Sequence, residues 1–358
     1  MALLKRQKYK LVDILSKIYP TLEEVVRVIR DVRSKDIDIE GASSKRWNNI
    51  VEFIKDKDDF SSTLNAISFD LTQSKPESDK DRKNFEELKT EIYAQTPELL
   101  LNHLRDIINT RQCVLFLGPN AFKCIQRDRI VPFSDYLAGK FVAELNRMDI
   151  FCEPVAVNEL SYLIDRYESR EAASLADTKA FAAKWYREAT PYIPFYEKLE
   201  SLNFPVVINT NPEILFGRRA NTERFVHLRY DKSNAQAQAL PADYSGKTIV
   251  YNIYGSFDNE HSVLFTEKEA VAFTKGAYEK NPPILQEVRT QVMQSYGLFV
   301  GFDFHDWHLK ILFDVLDLRN KPGNYSVYDG EIAEQHLEYY SRQFNMTFYT
   351  EDDLLMDL

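Results

Sequence analysis

The chain of 358 residues is poor in the residues that build metal and disulfide frameworks. It has 3 cysteines and 6 histidines, with no CxxC pair, no HExxH and no zinc-knuckle spacing. No metal site is therefore expected, and unpatterned thiols suit a reducing compartment. Long apolar runs are missing too. No stretch approaches the roughly 18 residues that a membrane span requires, and the basic N-terminus, MALLKRQKYKLVDIL, has neither a continuous apolar core nor a small-residue cleavage site. The expectation is a cytoplasmic protein with no membrane partner. Positive charge is in deficit: 45 Lys plus Arg face 55 Asp plus Glu, for a net charge of −10. That balance, without a basic-aromatic stripe, argues against direct binding of nucleic acid.

What is present is a large apolar complement, 44% of the chain with 13% aromatic, enough for a sizeable core. Leu11, Ile14, Leu15 and Ile18, then Leu22, Val25, Val26 and Ile29, recur at helical spacing on either side of Pro20. Two helices follow from this, the second opened by a Thr21 and Glu24 capping box. Further helical faces lie at 44–55, around Trp47, Ile50 and Val51, and at 61–71, around Leu64 and Ile67. Residues 1–72 thus read as a small all-α domain. The stretch 73–84, QSKPESDKDRKN, has no apolar residue and reads as a solvated linker.

From residue 85 onward a helical stretch reaches Asn109, and then the pattern changes. Short apolar runs bounded by turn residues lie at 114–117, 205–208, 248–253, 297–300, 325–328 and 346–349. Helical patterns at 134–146, 158–168, 306–318 and 331–344 alternate with them. Strand and helix alternating in this way predict an α/β class, a doubly wound, Rossmann-like parallel sheet over 85–358 with a helical insertion at about 150–200. Ligands of such sheets sit beyond the carboxyl ends of the strands, so the residues just after each run are the candidate site.

Four strand ends carry unusual residues. They are Gly118-Pro119-Asn120-Ala121 after VLFL, Asn209-Thr210-Asn211-Pro212-Glu213 after VVI, Tyr254-Gly255-Ser256 after IVYNI, and Gly301-Phe302-Asp303 after GLFV. In order, these blocks resemble the sirtuin-like family, whose pattern runs Gly-Ala-Gly-x-Ser, then Thr-Thr-Asn-x-Asp or Thr-Gln-Asn-x-Asp, then His-Gly, then a late Gly-Tyr-Ser-like turn. The resemblance spans about Val114 to Tyr349 and includes Phe133 to Leu137, similar to the family's Pro-Ser-Trp-x-x-Leu segment. It implies NAD or a related nucleotide as cofactor, with Gly118, Pro119, Asn120, Ala121, Thr210, Gly255, Gly301 and Phe302 in the cofactor cleft. It also implies Asn211 beside the nicotinamide ribose, Glu213 in place of the family's aspartate, and Tyr254 where the family has a general-base histidine.

Each departure has a chemical cost. Pro119 removes an N–H donor, and Asn120 places a side chain where a second glycine admits the pyrophosphate. A phenol with a pKa of about 10 is a poor base at neutral pH, and loss of a general base costs about 10² to 10⁴ in rate. The substitutions favour a degenerate, catalytically impaired sirtuin-like subunit that senses a nucleotide or acts as a scaffold. The alternative is an active NAD glycohydrolase whose divergent site uses Asn211, Glu213 or Tyr254. Zinc-dependent deacylation is not expected, because the three cysteines lack the patterned set that the zinc ribbon of deacylase sirtuins requires.

The stretch GASSKRWNNIVEFIKDKDDFSSTLNAI looks like the effector-associated domains of bacterial conflict systems. That resemblance implies a protein partner with a like helical domain, and the two resemblances together imply a role in prokaryotic antiviral defence. The 20 tyrosines and 23 phenylalanines fit either a homo-oligomer interface or an aromatic core. Bland readings stand beside the functional ones: Asn211 as a turn residue, Tyr254 as a packed aromatic, Asp306 as a helix N-cap, and Cys113 and Cys124 as buried packing residues. His305 and His308 have the spacing of a ligand pair but no third ligand.

Overall fold

The structure is a computed structural model that describes residues 5–19, 97–150, 160–169, 174–218, 223–231, 239–279, 283–305, 307–328, 334–350 and 358, with isolated positions between 44 and 92. The second helix expected at 21–32 and most of the linker at 73–84 lie outside these residues. Helix α1 (Lys5–Ile18) ends where expected, since a residue before proline disfavours helical backbone. Its Leu11, Leu15 and Ile18 are buried, and Trp47, also buried, donates its indole N–H to the Tyr19 carbonyl at 3.4 Å. The described positions at 44–51 and 63–67 are helical.

The rest is organised by one parallel sheet. Its seven strands are β1 (Cys113–Leu117), β5 (Val206–Asn209), β6 (Phe225–Arg229), β7 (Thr248–Asn252), β8 (Tyr296–Val300), β9 (Asn324–Tyr328) and β10 (Met346–Thr350), in the order β10-β9-β8-β1-β5-β7-β6. All the pairings are parallel. β1 is central: the chain builds outward on its β5 side, then crosses to β8 and builds the other way. The sheet is therefore doubly wound, with its switch point at β1. β1, β5, β7 and β8 are buried along their whole length, which explains why they appear in the sequence as continuous apolar runs rather than alternating ones.

Alternate residues feed two cores. Leu115, Leu117, Val207, Leu298 and Val300 face one, completed by Leu104 of helix α2 (Pro97–Asn109), Phe141 of α3 (Phe133–Arg147), Leu163 of α4 (Leu160–Glu168), Ala182 of α5 (Leu175–Glu188) and Tyr196 of α6 (Pro194–Ser201). Val114, Phe116, Ile208, Tyr251 and Phe299 face the other, with Phe273 of α7 (Glu267–Glu279), Val288 of α8 (Gln286–Gln294), Phe313 of α9 (Trp307–Val315) and Tyr340 of α10 (Glu334–Phe344). Phe116 and Phe299, paired in register, stack at 4.2 Å. The aromatic excess is thus spent at least partly on the core.

Four strands are not legible as runs. β6 is an edge strand. The other three form a small antiparallel sheet, β3-β2-β4, of β2 (Lys123–Gln126), β3 (Arg129–Pro132) and β4 (Thr190–Pro191). Its ribbon turns on Arg127 and Asp128, both at positive φ, and it stands where the sequence shows only the approach to α3. Between 150 and 200 the described chain is mostly helical, as α4, α5 and α6. α5 opens with a Ser174 and Asp177 capping box.

Candidate functional site

The turn after β1 and the turn after β8 are welded together. Parallel pairing continues past both strand ends: Gly118 donates its N–H to the Val300 carbonyl at 2.8 Å and Asn120 donates to Gly301 at 2.9 Å. Ala121 closes the turn by donating to the Gly118 carbonyl at 3.0 Å. Glycine is required on both sides. A Cβ on Gly118 would lie 2.3 Å from the Gly301 carbonyl oxygen, and Gly301, at φ +73, would place one 2.3 Å from the Ala121 nitrogen.

The turn after β5 locks onto the same point. Thr210 donates both its N–H (3.0 Å) and its hydroxyl (2.8 Å) to the Leu117 carbonyl. Asn211, 5% exposed, donates its side-chain amide to the Gly118 carbonyl at 2.8 Å, and its backbone N–H to Asn209 Oδ1 at 2.9 Å. Glu213 is fully buried. Its Oε1 accepts from the Asn209 amide at 2.5 Å and the Tyr196 hydroxyl at 3.2 Å, while Oε2 accepts from the backbone N–H groups of Leu215 and Phe216. Burial pushes this carboxyl above its ordinary range, against the pull of those donors. With both oxygens engaged, Glu213 shapes the turn and does not face solvent.

Asn252, the last residue of β7, completes the clamp. It donates one amide to two carbonyls, those of Asn211 and Glu213, each at 2.8 Å. The only sequence signal for it is a polar residue closing the apolar run TIVYN. An aromatic wall backs the turns: Phe122 lies 5.1 Å from Phe133 and 5.8 Å from Tyr186, and Tyr186 lies 5.0 Å from Phe257. The Tyr186 hydroxyl accepts from the Ile214 N–H at 3.0 Å, and burial raises the phenols of Tyr186 and Tyr196.

Tyr254 and Gly255 stand apart. The Tyr254 ring meets Phe273 edge-on at 5.3 Å, and its carbonyl accepts from Leu264 at 2.8 Å. Gly255, at φ +80, would drive a Cβ to 2.1 Å from the Ser262 carbonyl oxygen. Phe273 lines a cavity of about 450 Å³ with Tyr230 and Asp231, beyond the ends of β6 and β7. A second cavity, of about 440 Å³, lies on the other side of the switch point, against Asn120, Gly301 and Phe302, with Lys123, Tyr192 and Phe195 opposite. The structure therefore gathers Asn120, Gly301 and Phe302 on one cavity. It places Gly118, Ala121, Thr210, Asn211 and Glu213 in the weld beneath, and Tyr254 and Gly255 towards the other cavity. Lys123, Tyr192 and Phe195 were not among the expected site residues, because the ribbon that carries Lys123 is silent in the sequence.

Cys113 and Cys124 are both buried, and burial pushes their thiols up to about 12 and about 11, the state of inert packing residues. His305 bonds Asp303 at 2.9 Å. Asp306 and the side chain of His308 lie outside the described residues. Among the described residues no group of three or more His, Cys, Asp or Glu is placed to hold a metal ion, and no helix is long and apolar enough to cross a membrane.

Residues 206–349 match the SIR2-like domain family. The match runs from β5 to β10, so it contains the Asn209 to Glu213, Tyr254 to Gly255 and Gly301 to Phe302 blocks and leaves out the β1 turn. The chain thus carries a SIR2-like domain on a doubly wound α/β sheet. No curated protein matches the chain. A SIR2-like domain implies NAD, and the β1 turn is where its pyrophosphate would be held. The residues there do not fit it: the N–H groups of Gly118, Asn120 and Ala121 are bonded to protein carbonyls, and Pro119 has none.

Proposed function

We propose that this protein is a catalytically impaired, sirtuin-like subunit of prokaryotic immunity that senses a nucleotide or acts as a scaffold. Its N-terminal helical domain, 1–72, recruits a protein partner with a like domain, and the subunit works in the cytoplasm as a homo-oligomer. One observation carries the loss of catalysis: Asn211, the residue matched to the ribose-facing asparagine, spends its amide on the Gly118 carbonyl. The turn it holds has no main-chain donor left for a pyrophosphate. The position of the family's general base is a tyrosine packed on Phe273. The defence setting rests on the sirtuin-like and N-terminal resemblances together.

The test is nicotinamide release from NAD by the full-length protein over hours, beside Asn211→Ala and an equilibrium NAD titration. The expected outcome is no release that depends on Asn211. Release that is lost in Asn211→Ala would overturn impairment and establish the alternative, an NAD glycohydrolase with a divergent site. That alternative draws on the retention of Asn211 and Thr210 at the switch point.

A further inference from the structure

The four positions from Gly118 to Ala121 offer a ligand no main-chain donor, since three N–H groups are bonded within the weld and the fourth residue is proline. A pyrophosphate is held at such a turn by collecting N–H groups that have no other partner. Bringing its second charge out of water without them costs more than it returns. No helix follows the turn directly, because the chain enters β2, and α3 begins only at Phe133 with Asp135 in its own first turn. The cavity beside the turn has a different chemistry. Tyr192, Phe195 and Phe302 present rings suited to the face of a base, and Asn120 adds a side-chain amide. Lys123 supplies a cation, its Nζ 5.9 Å from the centre of the Phe195 ring.

We infer that this cavity takes a nucleoside monophosphate, with the base against the rings and its single phosphate at Lys123. Extension through a second phosphate gains no affinity. This rests on the nucleotide-sensing reading above and departs from the dinucleotide that a SIR2-like domain implies.

Calorimetric titration of the full-length protein with AMP, adenosine, ADP-ribose and NAD tests it. AMP is expected to bind more tightly than adenosine, and ADP-ribose and NAD no more than about threefold tighter than AMP, because no new charge-assisted bonds await the second phosphate. Lys123→Gln, at a half-exposed strand position, is expected to weaken AMP about tenfold and leave adenosine unchanged. A thermal melt confirms that the variant is folded. ADP-ribose or NAD binding beyond that threefold limit, AMP no tighter than adenosine, or AMP binding indifferent to Lys123→Gln overturns the monophosphate site and leaves the nucleotide reading standing. Failure of all four compounds to bind overturns both.

Discussion

Gly118 and Gly301, separated by most of the domain in sequence, touch so closely that a single methyl on Gly118 would lie 2.3 Å from the Gly301 carbonyl oxygen. Gly118→Ala is accordingly expected to destabilise the fold by about 1–3 kcal/mol through overpacking. Gly139, exposed in α3 with nothing within 4 Å of an added Cβ, gives the opposite sign. Gly139→Ala should gain about 0.5–1 kcal/mol. Urea midpoints at unchanged m-value measure both.

Asn252 holds two buried carbonyls with one amide. Asn252→Ala strands both and is expected to cost about 2–3 kcal/mol. Amide exchange across residues 209–216 should accelerate more than exchange in β8. Asn252→Asp should be worse than alanine, because a carboxylate would face two acceptors.

His227 sets a pH dependence. Burial first, then Arg218, lowers its imidazole from 6.5 to about 4. The native state therefore binds fewer protons than the unfolded chain, and the associated stability is complete above pH 6.5 and is lost as pH falls towards 4. The shift corresponds to about 3 kcal/mol. The stability loss of the wild type between pH 7 and 4, measured by denaturation, should exceed that of His227→Gln by about that amount. Fully buried His103, 2.5 Å from the Tyr325 hydroxyl, is lowered in the same direction and remains in both proteins.

Tyr254→His restores a group with the right pKa for a base but leaves the β1 turn without donors. It is expected to release no nicotinamide above the wild-type level in the NAD assay. Robust turnover by this variant would show that only the base had been lost.

The sequence exposes what is periodic and local. VLFL, VVIN, TIVYN and YGLFV stand out because parallel strands buried on both faces are apolar almost throughout; the turns after β1, β5 and β8 meet, while the Tyr254-Gly255 turn after β7 lies apart from them. β6, FVHLR, stays hidden because half-buried His227 and Arg229 break its run. The β2-β3 ribbon is hidden for another reason. Its turn uses Arg127 and Asp128 at positive φ, residues that carry none of the Asn-Gly signal of a hairpin. Glu213 looked like a catalytic carboxylate because only its position was visible. That its four donors come from Asn209, Tyr196, Leu215 and Phe216 is a matter of tertiary folding, and so is the clasp between Gly118 and Gly301.

An open α/β sheet ordinarily makes its crevice by parting the loops on either side of the switch point. Here main chain bridges that parting, from Gly118 to Val300 and from Asn120 to Gly301. The 440 Å³ cavity beside that bridge is lined in part by the β2-β3 ribbon, through Lys123, Pro132 and Ile130, the last 51% exposed. A nucleotide held there as proposed would meet a β-edge and its lysine, where a glycine-rich turn would offer a row of backbone amides.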